Sequence, residues 1–108
     1  MQKVAVVILN YNGKHWLEKF LPNVIQHSTY PNTEIIIADN ASTDDSIEFL
    51  AAKFPNIKIV SNKINTGYAG GYHDALQHIE SDFYVLLNSD VEVTPNWIEH
   101  VIYYMQQD

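Results

Sequence analysis

The sequence contains no cysteine, which excludes a disulfide framework, a thiolate zinc site and a thiol nucleophile. A cysteine-free chain fits the cytoplasm. Basic residues are scarce as well: six Lys or Arg stand against thirteen Asp or Glu, for a formal net charge of −7. Nothing here forms the basic stripe that a nucleic-acid partner requires, so no nucleic acid is expected. An acidic chain that binds a polyphosphate needs a cation to offset the charge, which points to a divalent metal rather than an arginine clamp. Apolar runs are short. Val4–Leu9 cannot span a bilayer and lacks the cleavage site of a signal peptide, so it reads as a buried strand and no membrane span is expected. Three motifs are also missing. No Gly-Lys-Ser or Gly-Lys-Thr marks a Walker loop, no nucleophile elbow occurs, and Gly67-Tyr68-Ala69-Gly70-Gly71 does not follow the first strand as a dinucleotide fingerprint would.

What is present is the make-up of one globular domain: 108 residues, 46% hydrophobic and 18% charged. Val4–Leu9 is a continuous β-branched run, suited to a strand covered on both faces. Trp16, Leu17, Phe20, Leu21, Val24 and Ile25 recur at helical spacing, with Pro22 expected to bend that helix. Ile35–Ala38 is a second strand ending at Asp39. Ser42 or Thr43 is expected to cap a helix with Asp44 and Asp45 in its first turn and Ile47, Leu50, Ala51 and Phe54 on its buried stripe. Ile57–Val60 is a third strand. A polar, glycine-rich loop over 61–71 leads into a helix that buries Ala75, Leu76 and Ile79. Phe83–Leu87 is the fourth strand, and Thr94-Pro95 is expected to open a last helix. The alternation βαβαβαβα predicts an α/β, Rossmann-like parallel sheet of order 3-2-1-4, with right-handed crossovers and helices on both faces.

In open α/β sheets, ligands bind beyond the carboxyl ends of the strands, where the strand order reverses. The polar residues gather at those ends: Asn10-Tyr11-Asn12-Gly13, Asp39-Asn40-Ala41-Ser42, Asn62–Gly67 and Asn88-Ser89-Asp90. Each cluster alone also serves as a turn, but four on one rim make a site of carboxylates and amides, suited to a divalent metal and to a base or ribose.

The same segments, in this order, resemble the motifs of family 2 glycosyltransferases. Val4–Asn12 resembles their opening strand and loop, and Asp39–Ser46 their Asp followed by a Ser-Thr-Asp turn. Asn65–Gly71 resembles the Asn-x-Gly loop. Leu86–Glu92 resembles the Asn-Pro-Asp variant of the D-x-D motif found in the rhamnosyltransferase-like branch. The resemblance runs the length of the chain and implies the N-terminal, nucleotide-sugar-binding half of a GT-A fold, with residues 1–108 as a donor domain cut before the acceptor half. It implies transfer of a sugar from a UDP- or dTDP-sugar to a hydroxyl of an acceptor glycan or lipid-linked sugar, with Mg²⁺ or Mn²⁺ as cofactor. The implied setting is the cytoplasm, including the inner face of the membrane. By the same resemblance, the Leu9 backbone, Asn10 and Tyr11 border the base, and Asp39 accepts the imide N–H of uracil or thymine. Asn65, Gly67, Asn88 and Ser89 complete the nucleotide site, and Asp90 binds the metal that bridges the diphosphate. His73 and Ala75 depart from the Asn and Gly common in the family. The catalytic base belongs to the family's second half. The rival readings are an inactive nucleotide-binding module and a structural interaction domain.

Overall fold

The computed structural model describes residues 2–106; Met1, Gln107 and Asp108, the ends of the expected donor domain, lie outside them. Along the chain run β1 (Val4–Asn10), α1 (Lys14–His27), β2 (Thr33–Asp39), α2 (Ser46–Lys53), β3 (Lys58–Ser61), α3 (Gly67–Leu76), β4 (Phe83–Leu87) and α4 (Trp97–Gln106). The four strands form one sheet of order β3-β2-β1-β4 with every pairing parallel, as the alternation predicts.

The two faces of β1 explain the layers. Val4, Val6 and Ile8 point into a cluster built with Leu17, Leu21 and Val24 of α1, Leu50 of α2, and Ile98 and Ile102 of α4. Ala5 and Val7 point the other way, into a smaller cluster with Tyr72 and Ala75 of α3 and Ile79 beyond it. Three helices therefore cover one face and α3 alone covers the other. A central strand apolar on both faces is what such a sandwich requires.

The structure corrects four local expectations. Ser42 and Thr43 do not cap α2; the helix begins at Ser46, because both hydroxyls are already engaged across the rim by Asn10, Asn12 and Asp39. Ala51 is exposed rather than part of the buried stripe, since the stripe of this short helix is centred on Leu50. The glycine-rich segment 67–71 is not loop but the opening of α3. Finally, α4 begins at Trp97 rather than at Thr94-Pro95, because Asn96 takes the left-handed conformation, φ 62°, which a right-handed helix cannot contain. α1 continues through Pro22, whose ring lies at the exposed surface and which has no amide hydrogen to donate to Glu18.

Gly71 sets how closely α3 approaches the sheet. A Cβ there would come within 2.8 Å of Asn40 Nδ2 and 2.9 Å of Leu9 Cδ1. Alanine normally gains about 1 kcal/mol over glycine inside a helix, but overpacking costs roughly 1–3 kcal/mol. Gly71→Ala is therefore expected to lower the urea midpoint of unfolding, whereas a stabilised variant would show that α3 has room to move.

Candidate functional site at the β1–β4 switch

β1 pairs with β2 as far as Asn10↔Asp39 but with β4 only as far as Ile8↔Leu87. Past that point β1 and β4 part, at the switch in strand order. One side chain from α3 fills the fork. The Leu9 amide donates to the Tyr72 hydroxyl at 3.3 Å, and that hydroxyl donates to the Leu87 carbonyl at 2.9 Å. Burial pushes the Tyr72 phenol well above its ordinary pKa, against the opposing effect of the Leu9 amide. It therefore stays protonated and able to donate.

Above this fork lies an open cleft of about 450 Å³. Of the nine residues assigned from sequence, Leu9, Tyr11, Asn65, Gly67, Asn88, Ser89 and Asp90 line it. Asn10 and Asp39 do not; they are buried at 0% and 3% exposure. They form a brace at the ends of β1 and β2. Asp39 Oδ1 accepts from Asn10 Nδ2 at 2.9 Å and from the Ser42 hydroxyl at 2.7 Å, while Oδ2 accepts from the Ser42 amide at 3.0 Å. A carboxylate offers about four lone pairs, so Oδ2 keeps room for one further donor.

A second brace holds the wall formed by the β3–α3 connection. Asn40, 2% exposed, donates from Nδ2 to Asn65 Oδ1 at 2.9 Å and to the Gly67 carbonyl at 3.2 Å, and accepts from Asn62 Nδ2 at 3.0 Å. Asn62 Nδ2 also donates to the Gly71 carbonyl at 3.0 Å. A third brace fixes the loop after β1. Asn12, at φ 50°, accepts on Oδ1 from the amides of Thr43 and Asp44 at 2.7 and 3.0 Å. Burial pushes the Asp44 carboxyl up, but bonds from the Ser46 hydroxyl and amide and from the Lys14 amide outweigh it and hold the group below its ordinary pKa.

Three cleft residues were not singled out by the sequence: Trp16, Asn40 and Tyr68. Trp16 sits in the first turn of α1 and is 38% exposed, although its spacing matches the apolar stripe. Its place directly after the Asn10–Gly13 loop was the available signal. Tyr68 projects from a segment expected to be loop, and Asn40 belongs to the expected rim cluster after β2 but carries no individual role there. His73 is exposed and outside the cleft lining.

Among the described residues, Asp90 is the one carboxylate that lines the cleft, and no group of three or more His, Cys, Asp or Glu could hold a metal. The donor set fits a Mg²⁺- or Mn²⁺-type ion bound through one carboxylate plus substrate phosphates, which is a common arrangement, and not an all-protein cage. A second cleft, about 520 Å³, lies by β3 and α3, lined by residues including Lys63, Asp74 and His78. It is slightly larger but lies away from the switch and contains none of the nine assigned residues. The switch cleft is the stronger candidate, because four chain segments converge there on backbone that three braces hold.

The family model described as Glycosyl transferase family 2 matches residues 5–108. An uncharacterized glycosyltransferase of Haemophilus influenzae is 28% identical over 108 residues, covering 97% of this chain and 33% of its own. The UDP-Glc:alpha-D-GlcNAc-diphosphoundecaprenol beta-1,3-glucosyltransferase WfgD of Escherichia coli is 29% identical over 89 residues, 81% of this chain and 34% of its own. In three dimensions the chain is similar to the mannosyltransferase PcManGT of Pyrobaculum calidifontis, solved with GDP-Man and Mn²⁺. The TM-score is 0.83 at 22% identity, over 96% of this chain and 32% of that one. The chain thus spans about a third of the length of these proteins.

If the fork depends on the Tyr72 hydroxyl, Tyr72→Phe leaves the Leu9 amide and the Leu87 carbonyl without their partner. Such a loss costs about 1–3 kcal/mol. The expected result is a lower unfolding midpoint together with faster amide hydrogen exchange at Leu9; unchanged exchange there would contradict the bridging role.

Proposed function

The chain belongs to glycosyl transferase family 2, and we propose that it is the donor-binding part of a metal-dependent glycosyltransferase that uses a UDP- or dTDP-sugar. The observation that carries this reading is the convergence at the β1–β4 switch. Residues from the ends of β1 and β4 and from the β3–α3 connection line one cleft, with Asp90 as its carboxylate.

The residues divide the cleft into two halves. Tyr11 and Trp16 offer ring surface to a flat base, and the remaining lone pair of Asp39 Oδ2 accepts a pyrimidine imide N–H. Asn65 and Gly67, held by Asn40, border the ribose and sugar. At the end of β4, Asp90 would hold a Mg²⁺ or Mn²⁺ ion together with the diphosphate. When bound, that ion supplies charge compensation for the departing nucleoside diphosphate. We assign the base that deprotonates the acceptor hydroxyl to none of the described residues, since Asp90, the one carboxylate among them that lines the cleft, is committed to the leaving-group side and Asp39 is taken up by its brace and the base.

The Asn88-Ser89-Asp90 form of the fourth motif supports a place in the rhamnosyltransferase-like branch. The specificity of the E. coli relative, a UDP-glucose donor and a diphosphoundecaprenol-linked acceptor, supports a lipid-linked sugar acceptor, polysaccharide biosynthesis and work at the cytoplasmic face of a membrane. No helix among the described residues is long and apolar enough to cross that membrane.

Calorimetric titration tests the two halves separately. Removing a hydrogen bond to a charged group costs roughly 1.5–3 kcal/mol, about tenfold or more in affinity. Asp39→Asn is therefore expected to weaken uridine binding by at least about that factor even without metal; unchanged uridine affinity would make Asp39 a brace and nothing more. Asp90→Ala is expected to abolish the Mn²⁺ enhancement of UDP affinity and leave uridine binding intact. A full Mn²⁺ enhancement in that variant would remove Asp90 as the ligand.

A further inference from the structure

The Asn88 amide is held from one side. The Tyr68 hydroxyl donates to Asn88 Oδ1 in a short hydrogen bond. Tyr68 is 63% exposed, yet its ring packs edge-on against Tyr72, with centroids 5.1 Å apart and planes at 75°. Tyr72 is in turn fixed by Leu9 and Leu87. A chain of contacts thus runs from the strand fork through two tyrosines to the first residue of the Asn88-Ser89-Asp90 turn. With Oδ1 engaged by a phenol, the groups Asn88 has left to offer are the two N–H donors of Nδ2, which have no acceptor among the described residues. Asn88 lines the cleft, and among the described residues no Lys, Arg or His lines it with Asn88. In an acidic chain, an amide N–H is a neutral means of meeting an oxyanion.

We propose that Tyr68 is a positioning residue that turns the Asn88 amide so that its N–H donors meet a phosphate oxygen of the nucleoside diphosphate. Asn88 then binds the leaving group independently of metal, and Asp90 alone among the pair serves the cation. This inference rests on the donor-binding reading above. It makes Asn88 a hydrogen-bond donor in place of a weak metal ligand, and it gives the α3 opening a function that its sequence, Gly67-Tyr68-Ala69-Gly70-Gly71, does not declare.

The test is calorimetry with UDP and with uridine, in EDTA and then in Mn²⁺, on the unaltered protein, Tyr68→Phe, Asn88→Ala, the double variant and Asn88→Asp. Phenylalanine keeps the ring against Tyr72 and removes only the donor. A hydrogen bond to a charged phosphate oxygen is worth about tenfold or more in affinity, and a neutral one that only orients the donor roughly two- to tenfold. In EDTA, Asn88→Ala is expected to weaken UDP by about the first factor and Tyr68→Phe by about the second, both leaving uridine unchanged, with the double variant no weaker than Asn88→Ala alone. Asn88→Asp, which can accept but not donate, is expected to lose the same metal-free affinity and to gain a larger Mn²⁺ enhancement. The proposal is overturned if Tyr68→Phe binds UDP normally in EDTA, if its cost persists in the Asn88→Ala background, or if UDP binds only with Mn²⁺. Failure of the unaltered protein to bind UDP under either condition would overturn the donor-binding reading as well.

Discussion

A single phenol holds open the place where the sheet changes direction. Beyond Ile8↔Leu87 the β1–β4 ladder has no further rung, and the Tyr72 hydroxyl takes its place by accepting from Leu9 and donating to Leu87. Two constraints meet in this contact. The freed backbone groups are partly buried and need partners, and α3 must come close enough for Tyr72 to reach them, which requires Gly71 against Leu9 and Asn40. The cleft above the fork is a consequence of this arrangement, since it can exist only where two neighbouring strands stop pairing.

Beside one exposed ion pair, Lys14–Asp45 at 3.0 Å, the rim is stiffened mainly by hydrogen bonds among amides, hydroxyls and carboxylates. Asp39, Asn10 and Ser42 tie β1 to the loop after β2, Asn12 ties the loop after β1 to Thr43 and Asp44, and the Asn40, Asn62 and Asn65 amides hold the opening of α3. Such groups orient a neutral or anionic ligand without filling an acidic chain with cations. The Asn10–Asp39 and Asn40–Asn62 bonds are buried and set a geometry that surface ion pairs would hold only weakly, while Asn10 Oδ1 has no partner among the described residues. The cleft residues themselves, Tyr11, Trp16, Tyr68, Asn88 and Asp90, are left exposed above a rigid floor, which is the usual division between scaffold and site.

Much of this was legible in the sequence because it depends on periodicity and on strand ends. The two-sided apolar run of β1, the βα alternation and the polar clusters after each strand predict the sheet order and the rim. What escaped was set by tertiary competition. Ser42 and Thr43 look like caps, but their hydroxyls bond more distant partners across the rim. The glycines at 67, 70 and 71 look like a loop, yet Gly71 is there to let a helix approach the sheet. Trp16 has the spacing of a core residue and instead borders the cleft, because the first turn of α1 overhangs the strand ends. Asp39 stands at a strand end as expected, but its second role, a brace with Asn10 and Ser42, is visible only once those residues are beside it.

The central claim is that the β1–β4 switch cleft, and not the larger cleft beside β3, receives the nucleotide. Titrating UDP with Mn²⁺ into ¹⁵N-labelled protein and following amide shifts tests this most directly. The account predicts that the largest changes fall on Leu9, Tyr11, Asn40, Gly67, Asn88 and Asp90 at the switch. Changes centred on Lys63, Asp74 and His78, or no changes at saturating UDP, would contradict it.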